Sequence, residues 1–404
     1  MTFSTTISSR KTSSRALFFL LPAVLLATRS ADAATFSVTP DGGANGSPYD
    51  LTAAMGLAGP GDTVSLGDGV YDRAIVTVTD GKQGSPIVVE GSRNAVIQGD
   101  HSSRSVLVTH SWITLQGFTV EGKVGSENEM EAYINKCIYV DGTTGSNLDG
   151  FVMEDLHVQN CGGECVRLKN SVVNAQIINN VIQDCGVHDY VFNRGEKNGE
   201  GVYIGTSSKL WENGPDPCND NLVSGNTIMT NANECVDIKE GATGNIIEDN
   251  ICSEQLDENS GCFDSRGDSN IFRYNTATNC KGAGIRFGGW DAGGHQYGQD
   301  NSAYGNDITN AAVGVLKLER MPQNAICGNT CEDGTCIVAG ADASFGGVEK
   351  SWNQACDGVP PADTTSDGGS DEPDTDGSTT DQDSPSSSTP TPSPGSSDTS
   401  SGSR

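Results

Sequence analysis

Two short stretches of the 404-residue chain share an arrangement that could do chemistry: CVDIKEG at 235–241 and CFDSRGD at 262–268. Each runs Cys, an apolar residue, Asp, one residue, then a cation, so Asp237 precedes Lys239 and Asp264 precedes Arg266 by two positions. Residues i and i+2 of a strand share one face, which projects acid and cation together. The same two slots recur on other strand-like runs as Arg167 and Lys169 in VRLK, Tyr203 in VYIG, Arg286 in IRFG, and Lys317 with Glu319 in LKLE. A carboxylate stands just ahead of three of these runs, at Glu164, Glu200 and Glu234. Lysine can take a proton from carbon where nearby cations lower its pKa. Arginine rarely yields its proton and serves better as charge stabiliser or hydrogen-bond donor. Lys239 and Arg266 are therefore the candidate catalytic pair, and Arg286, Lys317, Arg167, Lys169 and Tyr203 the candidate binding residues. Stacked carboxylates repel unless something cationic lies among them. Glu164, Glu200, Glu234 and Asp237 could hold Ca²⁺, which takes oxygen ligands, or be neutralised by the Arg and Lys side chains beside them. The bland reading is a solvated outer strand face, and the adjacency of Lys239, Arg266 and the Glu column weighs against it.

Positioning such a set requires stacked strands, and an internal repeat supplies them. An apolar residue, two residues, Asn, one residue, then apolar or Cys recurs at Asn180, Asn226, Asn250, Asn275, Asn306 and Asn329, with a weaker copy at Asp155. The first step, 46 residues, fits two coils or one with a long insertion, and the others fall between 23 and 31. Coils of this length, with short alternating strands and an Asn at one corner, define a single-stranded right-handed parallel β-helix with an Asn ladder, an all-β fold. A sandwich would show hairpin signals at regular spacing, and these are missing. Val166/Leu168, Val202/Ile204, Val236/Ile238, Ile285/Phe287 and Leu316/Leu318 then point inward. The cations between them form one patch on the outward face of strands ~4.8 Å apart.

The chain ends are different in kind. RKTSSR, an apolar run at 16–27 and an Ala-x-Ala site make residues 1–33 a secretory signal peptide. The β-helix domain is expected over 34–357. From residue 358 to 404 the chain is Asp, Ser, Thr, Pro and Gly, a composition that cannot fold and suits an O-glycosylated spacer. Asn45 begins the one N-glycosylation sequon. All 13 Cys lie between Cys137 and Cys356, which in a secreted chain implies disulfides and, the count being odd, an unpaired thiol. Cys161–Cys185 and Cys235–Cys262 are the expected pairs, as residues at matching positions of stacked coils. A formal charge of −29 excludes nucleic acid as partner, and no apolar run is long enough for a membrane helix. The RGD at 266–268 ends a strand and is too short to read as an adhesion signal. His188 and Asp189 read as a surface pair on an inserted loop rather than an acid/base couple.

The segment AAMGLAGPGDTVSLGDGVYDRAIVTVTDGKQGSPIVVEGSRNAVIQGD at 53–100 resembles the opening of secreted right-handed β-helix polysaccharide lyases. ECVDIKEGATGNIIEDN (234–250) and FDSRGDSNIFRYNTATNCKGAGIRFGG (263–289) resemble the central coils of the alginate lyase and chondroitinase B family. The resemblance implies a Lys base on one coil, an Arg acid on the next and a calcium-binding Glu shortly before the Lys; Lys239, Arg266 and Glu234 fall at those places. DIKE and SRGD stand where that family usually has SNKS and LRHG.

The expected function is a secreted, extracellular lyase that cleaves an anionic, uronate-containing polysaccharide by β-elimination, acting as a monomer. A C5-epimerase on the same polymers and a non-catalytic glycan- or wall-binding β-helix are the alternatives. Hydrolysis ranks lower, because the paired Asp and G-x-GH segment of β-helix hydrolases are not found.

Overall fold

The computed structural model describes residues 33–42, 49–99, 104–126, 128–142, 147–331, 336–339 and 352–356. The expected signal peptide up to residue 32, Asn45 and the expected acidic tail lie outside them. Alternation of apolar and polar residues in short runs yields three long parallel sheets, of 11, 10 and 10 strands, so each coil contributes one strand to each. The chain is a right-handed parallel β-helix.

One ten-stranded sheet carries, in its strands or immediately beside their ends, every residue singled out for chemistry. Its strands are β1 (Ile75–Val76), β2 (Arg104–Val108), β3 (Lys136–Asp141), β4 (Val166–Lys169) and β5 (Val202–Ile204). They continue as β6 (Val236–Ile238), β7 (Gly261–Ser265), β8 (Ala283–Phe287), β9 (Gly314–Leu318) and β10 (Ile337–Ala339). The register stacks Leu107, Tyr139, Arg167, Tyr203, Asp237, Asp264, Arg286 and Lys317 in one outward column. The inward residues Val166, Leu168, Val202, Ile204, Val236, Ile238 and Leu316 are wholly buried. A run of aromatic contacts from Phe263 to Phe272 (6.3 Å) and Phe272 to Phe287 (5.7 Å) fills the core behind the candidate site. A short helix, α1 (Leu51–Leu57), buries Leu51, Ala54 and Met55 beside the first coils, with Asp50 as its N-cap.

The Asn ladder is present. Each side-chain amide donates to the next Asn carboxamide oxygen, from Asn180 through Asn226, Asn250, Asn275 and Asn306 to Asn329, over 2.8–3.0 Å. A second ladder runs beside it through Asn221, Asn245 and Asn270, at 2.9 and 3.0 Å, and Asn301 Oδ1 accepts the Asn270 backbone N–H at 3.0 Å. These buried amides are fully engaged, as burial demands. The 46-residue step is one coil: the strand Gln176–Ile178 pairs directly with Leu222–Ser224, and the extra length lies in two loops, 186–199 and 206–217.

Six disulfides form among the described residues, joining Cys137–Cys161, Cys165–Cys185, Cys235–Cys252, Cys262–Cys280, Cys327–Cys356 and Cys331–Cys336. Cys218 is free and buried. The expected Cys161–Cys185 and Cys235–Cys262 pairs are not formed. Side chains at matching positions of stacked strands run parallel, leaving their Cβ atoms about one strand spacing apart, wider than a disulfide accepts. The first four bridges instead tie a residue at or just before the start of a strand in the charged sheet to one in or just after a strand of a neighbouring sheet, where the Cβ vectors converge.

Candidate active site

The outward face of β4–β8 is not solvated. Arg167, Tyr203, Asp237, Lys239, Glu240 and Asp264 are all buried, as are Glu164, Glu200 and Glu234. Loop 206–217 contributes to this cover: the Ser208 N–H bonds Glu240 Oε2 at 3.0 Å. On the other side, Tyr190 from the short helix α2 (Val187–Tyr190) hydrogen-bonds Asn233, which itself donates to Glu200 at 3.3 Å. A recess of about 230 Å³ opens on this face, lined by Glu200, Glu234, Lys239, Asp264, Arg266 and Arg286, among others.

The cations do not form a free positive patch. Lys239 Nζ is bonded to Asp237 Oδ2. Arg266 lies 3.7 Å from Glu240. Arg286 reaches Asp264 at 2.7 Å and Glu319 at 3.0 Å, and Lys317 meets Glu319 at 3.0 Å. Carboxylates outnumber cations here, and this sets the protonation. Burial and the Arg266 guanidinium push the Lys239 ammonium down, but Asp237, Tyr203 and Glu200 outweigh them and hold it above the usual lysine range. The expectation that neighbouring cations would lower it is thus reversed. Arg266 is likewise held fully protonated: Asp237, Glu240 and Asp264 outweigh its burial.

Glu200, Glu234 and Asp237 bring one oxygen each within 4.8 Å of one another. Burial, then Asp237 and Glu200, push the Glu234 carboxyl well above its ordinary range. Glu234 Oε2 and Asp237 Oδ1 are buried with no hydrogen-bond partner among the described residues. Hard, anionic, unsatisfied oxygens fit a hard divalent cation. Glu164 is not with this trio: Lys136 Nζ and Arg167 Nη1 engage it instead. Lys169, at the end of β4, lines a separate recess of about 210 Å³ with Trp211 and Asp216.

Lys136 escapes a reading of the sequence. It stands at the first position of β3, paired in register with Arg104. Burial and Arg167, with Arg104 and Arg194, bring its ammonium down to about 7 against the pull of Glu200. Arg104 stacks on Tyr139 at 4.2 Å, Arg167 on Tyr203 at 3.6 Å, and Lys239 lies over that same Tyr203 ring at 4.3 Å. The sequence signal was weak: its carboxylate partner, Glu164, lies on the following coil. Of the remaining motifs, Asp268 of the RGD accepts the backbone N–H groups of Gly298 and Gln299 and bonds His295, a loop-holding role. His188 and Asp189 are both buried; Asp189 accepts the N–H groups of Glu196 and Asn198 and so closes loop 186–199.

No family model and no curated protein matches the sequence. Solved structures do. The chain is similar to an alginate lyase from Paenibacillus sp. str. FPU-7, at 22% identity and a TM-score of 0.61, over 76% of this chain and 98% of that one. It is also similar to pectate lyase Pel9A, at 14% identity and a TM-score of 0.50, over 80% of this chain and 82% of that one. The fold is therefore the pectin-lyase-like β-helix, and these structural neighbours are polysaccharide lyases. Among the described residues no helix is long and apolar enough to cross a membrane, and six disulfides fit an oxidising compartment.

Proposed function

We propose that the protein is a secreted lyase that cleaves a uronate-containing polysaccharide by β-elimination. The observation that carries this reading is the recess itself: a lysine and an arginine from adjacent strands meet a trio of carboxylates suited to a divalent cation. The polymer lies along the outward face, across strands ~4.8 Å apart. Lys239, as the free amine, takes the C5 proton; the C–H electron pair becomes the C4–C5 double bond; the C4–O bond breaks, and its electrons leave on the glycosidic oxygen. Arg266 donates a hydrogen bond to that oxygen, which gains its proton from water. Arg286 and Lys317 hold neighbouring carboxylates, while Arg167 and Tyr203, buried beside Lys239, support that side chain from below, and Lys169 stands apart in its own recess. Calcium held by Glu200, Glu234 and Asp237 would neutralise them and the uronate carboxylate together, withdrawing the charge that keeps the Lys239 proton in place.

The test is incubation of purified protein with alginate, polygalacturonate and chondroitin, with and without calcium, reading absorbance of the unsaturated uronate. New absorbance on any of them supports the lyase. A changed sugar composition without cleavage replaces it with a C5-epimerase. Binding without either change leaves a glycan-binding β-helix.

A further inference from the structure

Beside the recess a second structure is built from two loops. Loop 206–217 follows β5, and a two-stranded hairpin, Asp291–Ala292 with His295–Gln296, follows β8. Three strand spacings, ~14 Å in all, separate their bases, yet they touch. Lys209 Nζ lies 4.2 Å from the Trp290 ring centroid, and Trp211 meets Tyr297 edge-on at 5.6 Å. The contact arches over the ends of β6 and β7, where Lys239 and Arg266 leave the sheet.

The hairpin is held hard. A Cβ on Gly298 (φ +91°) would stand 1.6 Å from Gly288 O, and one on Gly289 (φ +137°) 2.4 Å from Tyr297 O, so only glycine allows its base to close. Arg320 Nε donates to Gly289 O at 3.1 Å, and Gln323 Nε2 donates to Gly298 O at 2.7 Å. Asp268 ties the far side through Gly298, Gln299 and His295. Such a frame fixes Trp290, yet leaves it 47% exposed, the only tryptophan among the exposed large apolar side chains of the described residues. Leaving a tryptophan in water forgoes its burial free energy; a rigid, exposed one with a cation on its ring is a recognition surface.

We infer that Trp290 and Lys209 form an outlying sugar subsite, in which a uronate carboxylate draws the Lys209 ammonium off the indole and the C–H face of the sugar ring takes its place there. The inference rests on the lyase reading for the identity of the polymer. Contact with the recess decides the occupant: Ser208, next to Lys209, donates its N–H to Glu240 at 3.0 Å, and Glu240 lies 3.7 Å from Arg266, which lines the recess. A chain that reaches the recess from this side crosses the arch.

Binding of alginate and polygalacturonate is measured by calorimetry on the full chain carrying Lys239→Ala, which prevents turnover. Trp290→Ala is expected to weaken the better-bound polymer roughly tenfold, Trp290→Phe to retain most of the affinity, and Lys209→Met to lose affinity and flatten its salt dependence. Melting temperatures should not move, since both side chains are exposed. Equal binding by the Lys239→Ala protein with and without Trp290→Ala overturns the inference and leaves the lyase reading intact. Polymer binding that depends on Trp290, with no unsaturated product from the parent, overturns the lyase reading and leaves the subsite standing. No measurable binding of either polymer overturns the subsite, and the absorbance assay then decides cleavage separately. A halved mass in sedimentation on Trp290→Ala would assign the surface to a second copy of this chain and overturn the sugar.

Discussion

Two lysines on the same sheet face, three strands apart, one mostly buried and one wholly so, have pKa values that move in opposite directions. Lys136, at the start of β3, is brought down to about 7 by burial and by Arg167, Arg104 and Arg194. Lys239, just beyond β6, is buried too, yet is held above the ordinary range by Asp237, Tyr203 and Glu200. Burial is common to both, so the sign of the neighbours decides. Upstream, a single carboxylate, Glu164, serves Lys136 and Arg167. Downstream, carboxylates outnumber cations. One face thus carries a cation-rich half and an acid-rich half, and the acid-rich half is the one with room for a metal.

The largest expected effect comes from removing Lys239. Lys239→Ala should lower turnover by ~10²–10⁴-fold, the usual worth of a general base. It should also destabilise the fold by about 3–5 kcal/mol, because Asp237 is left buried and unpaired, so the side chain is no dispensable surface group. Steady-state rates and denaturant unfolding read the two separately, and wild-type turnover in a folded variant would end the base assignment.

Next in size is the metal. Calcium at about 100 times its dissociation constant should stabilise the parent by about 2.7 kcal/mol. Glu234→Gln, which removes one of three clustered carboxylates, should abolish most of that gain while Glu164→Gln leaves it. Thermal unfolding with calcium and with chelator checks this; equal calcium effects in both variants would place the ion elsewhere.

The pH dependence of stability should also separate the two lysines. Lys136 has its folded pKa depressed, so the unfolded chain holds more protons between about pH 7 and the unfolded value, and stability rises with pH across that window. The gain is a few kcal/mol at most, on the order set by the shift, and Lys136→Met should erase the slope. Lys239 has its folded pKa raised, so its contribution is fully present below the unfolded value and is lost only as pH climbs through the folded one. Urea unfolding from pH 6 to 10 reads the difference; a Lys136→Met protein with the parent slope would refute the upstream half of the comparison.

Smallest is Lys317→Ala. Its pair with Glu319 is partly exposed, so stability should change by less than about 1 kcal/mol, with polymer affinity falling more than turnover. A turnover loss as large as that of Lys239→Ala would move the reacting centre from Lys239 to a point three strands downstream.

The fold was legible because its two signals are periodic: an Asn at one corner and alternation in short strands. The second ladder was equally legible in principle. Asn221, Asn245, Asn270 and Asn301 each stand five residues before a ladder Asn. The column of outward residues also followed from alternation. Its burial did not, because it depends on loops 186–199 and 206–217 within the long coil, and sequence length shows that an insertion exists without showing where it folds. The ion pairs were misjudged for the same reason: Arg286 finds Asp264 on the preceding strand and Glu319 after the next, contacts visible only once register is known. Disulfide partners depend on Cβ direction, which spacing does not encode.

The five-residue interval between the two Asn ladders acts as a gauge for the whole rod. Asn245 and Asn250, or Asn270 and Asn275, are locked to their counterparts at a fixed separation, so an insertion inside that interval disrupts two buried amide chains at once. Length added at 206–217 or 289–298 disturbs neither. The molecule therefore separates a segment that tolerates no change of length from segments that tolerate much. Loop exchange between β-helices of this kind is a practical route to altered sugar preference: walls can be transplanted whole while the gauge keeps each new loop at its assigned height along the axis.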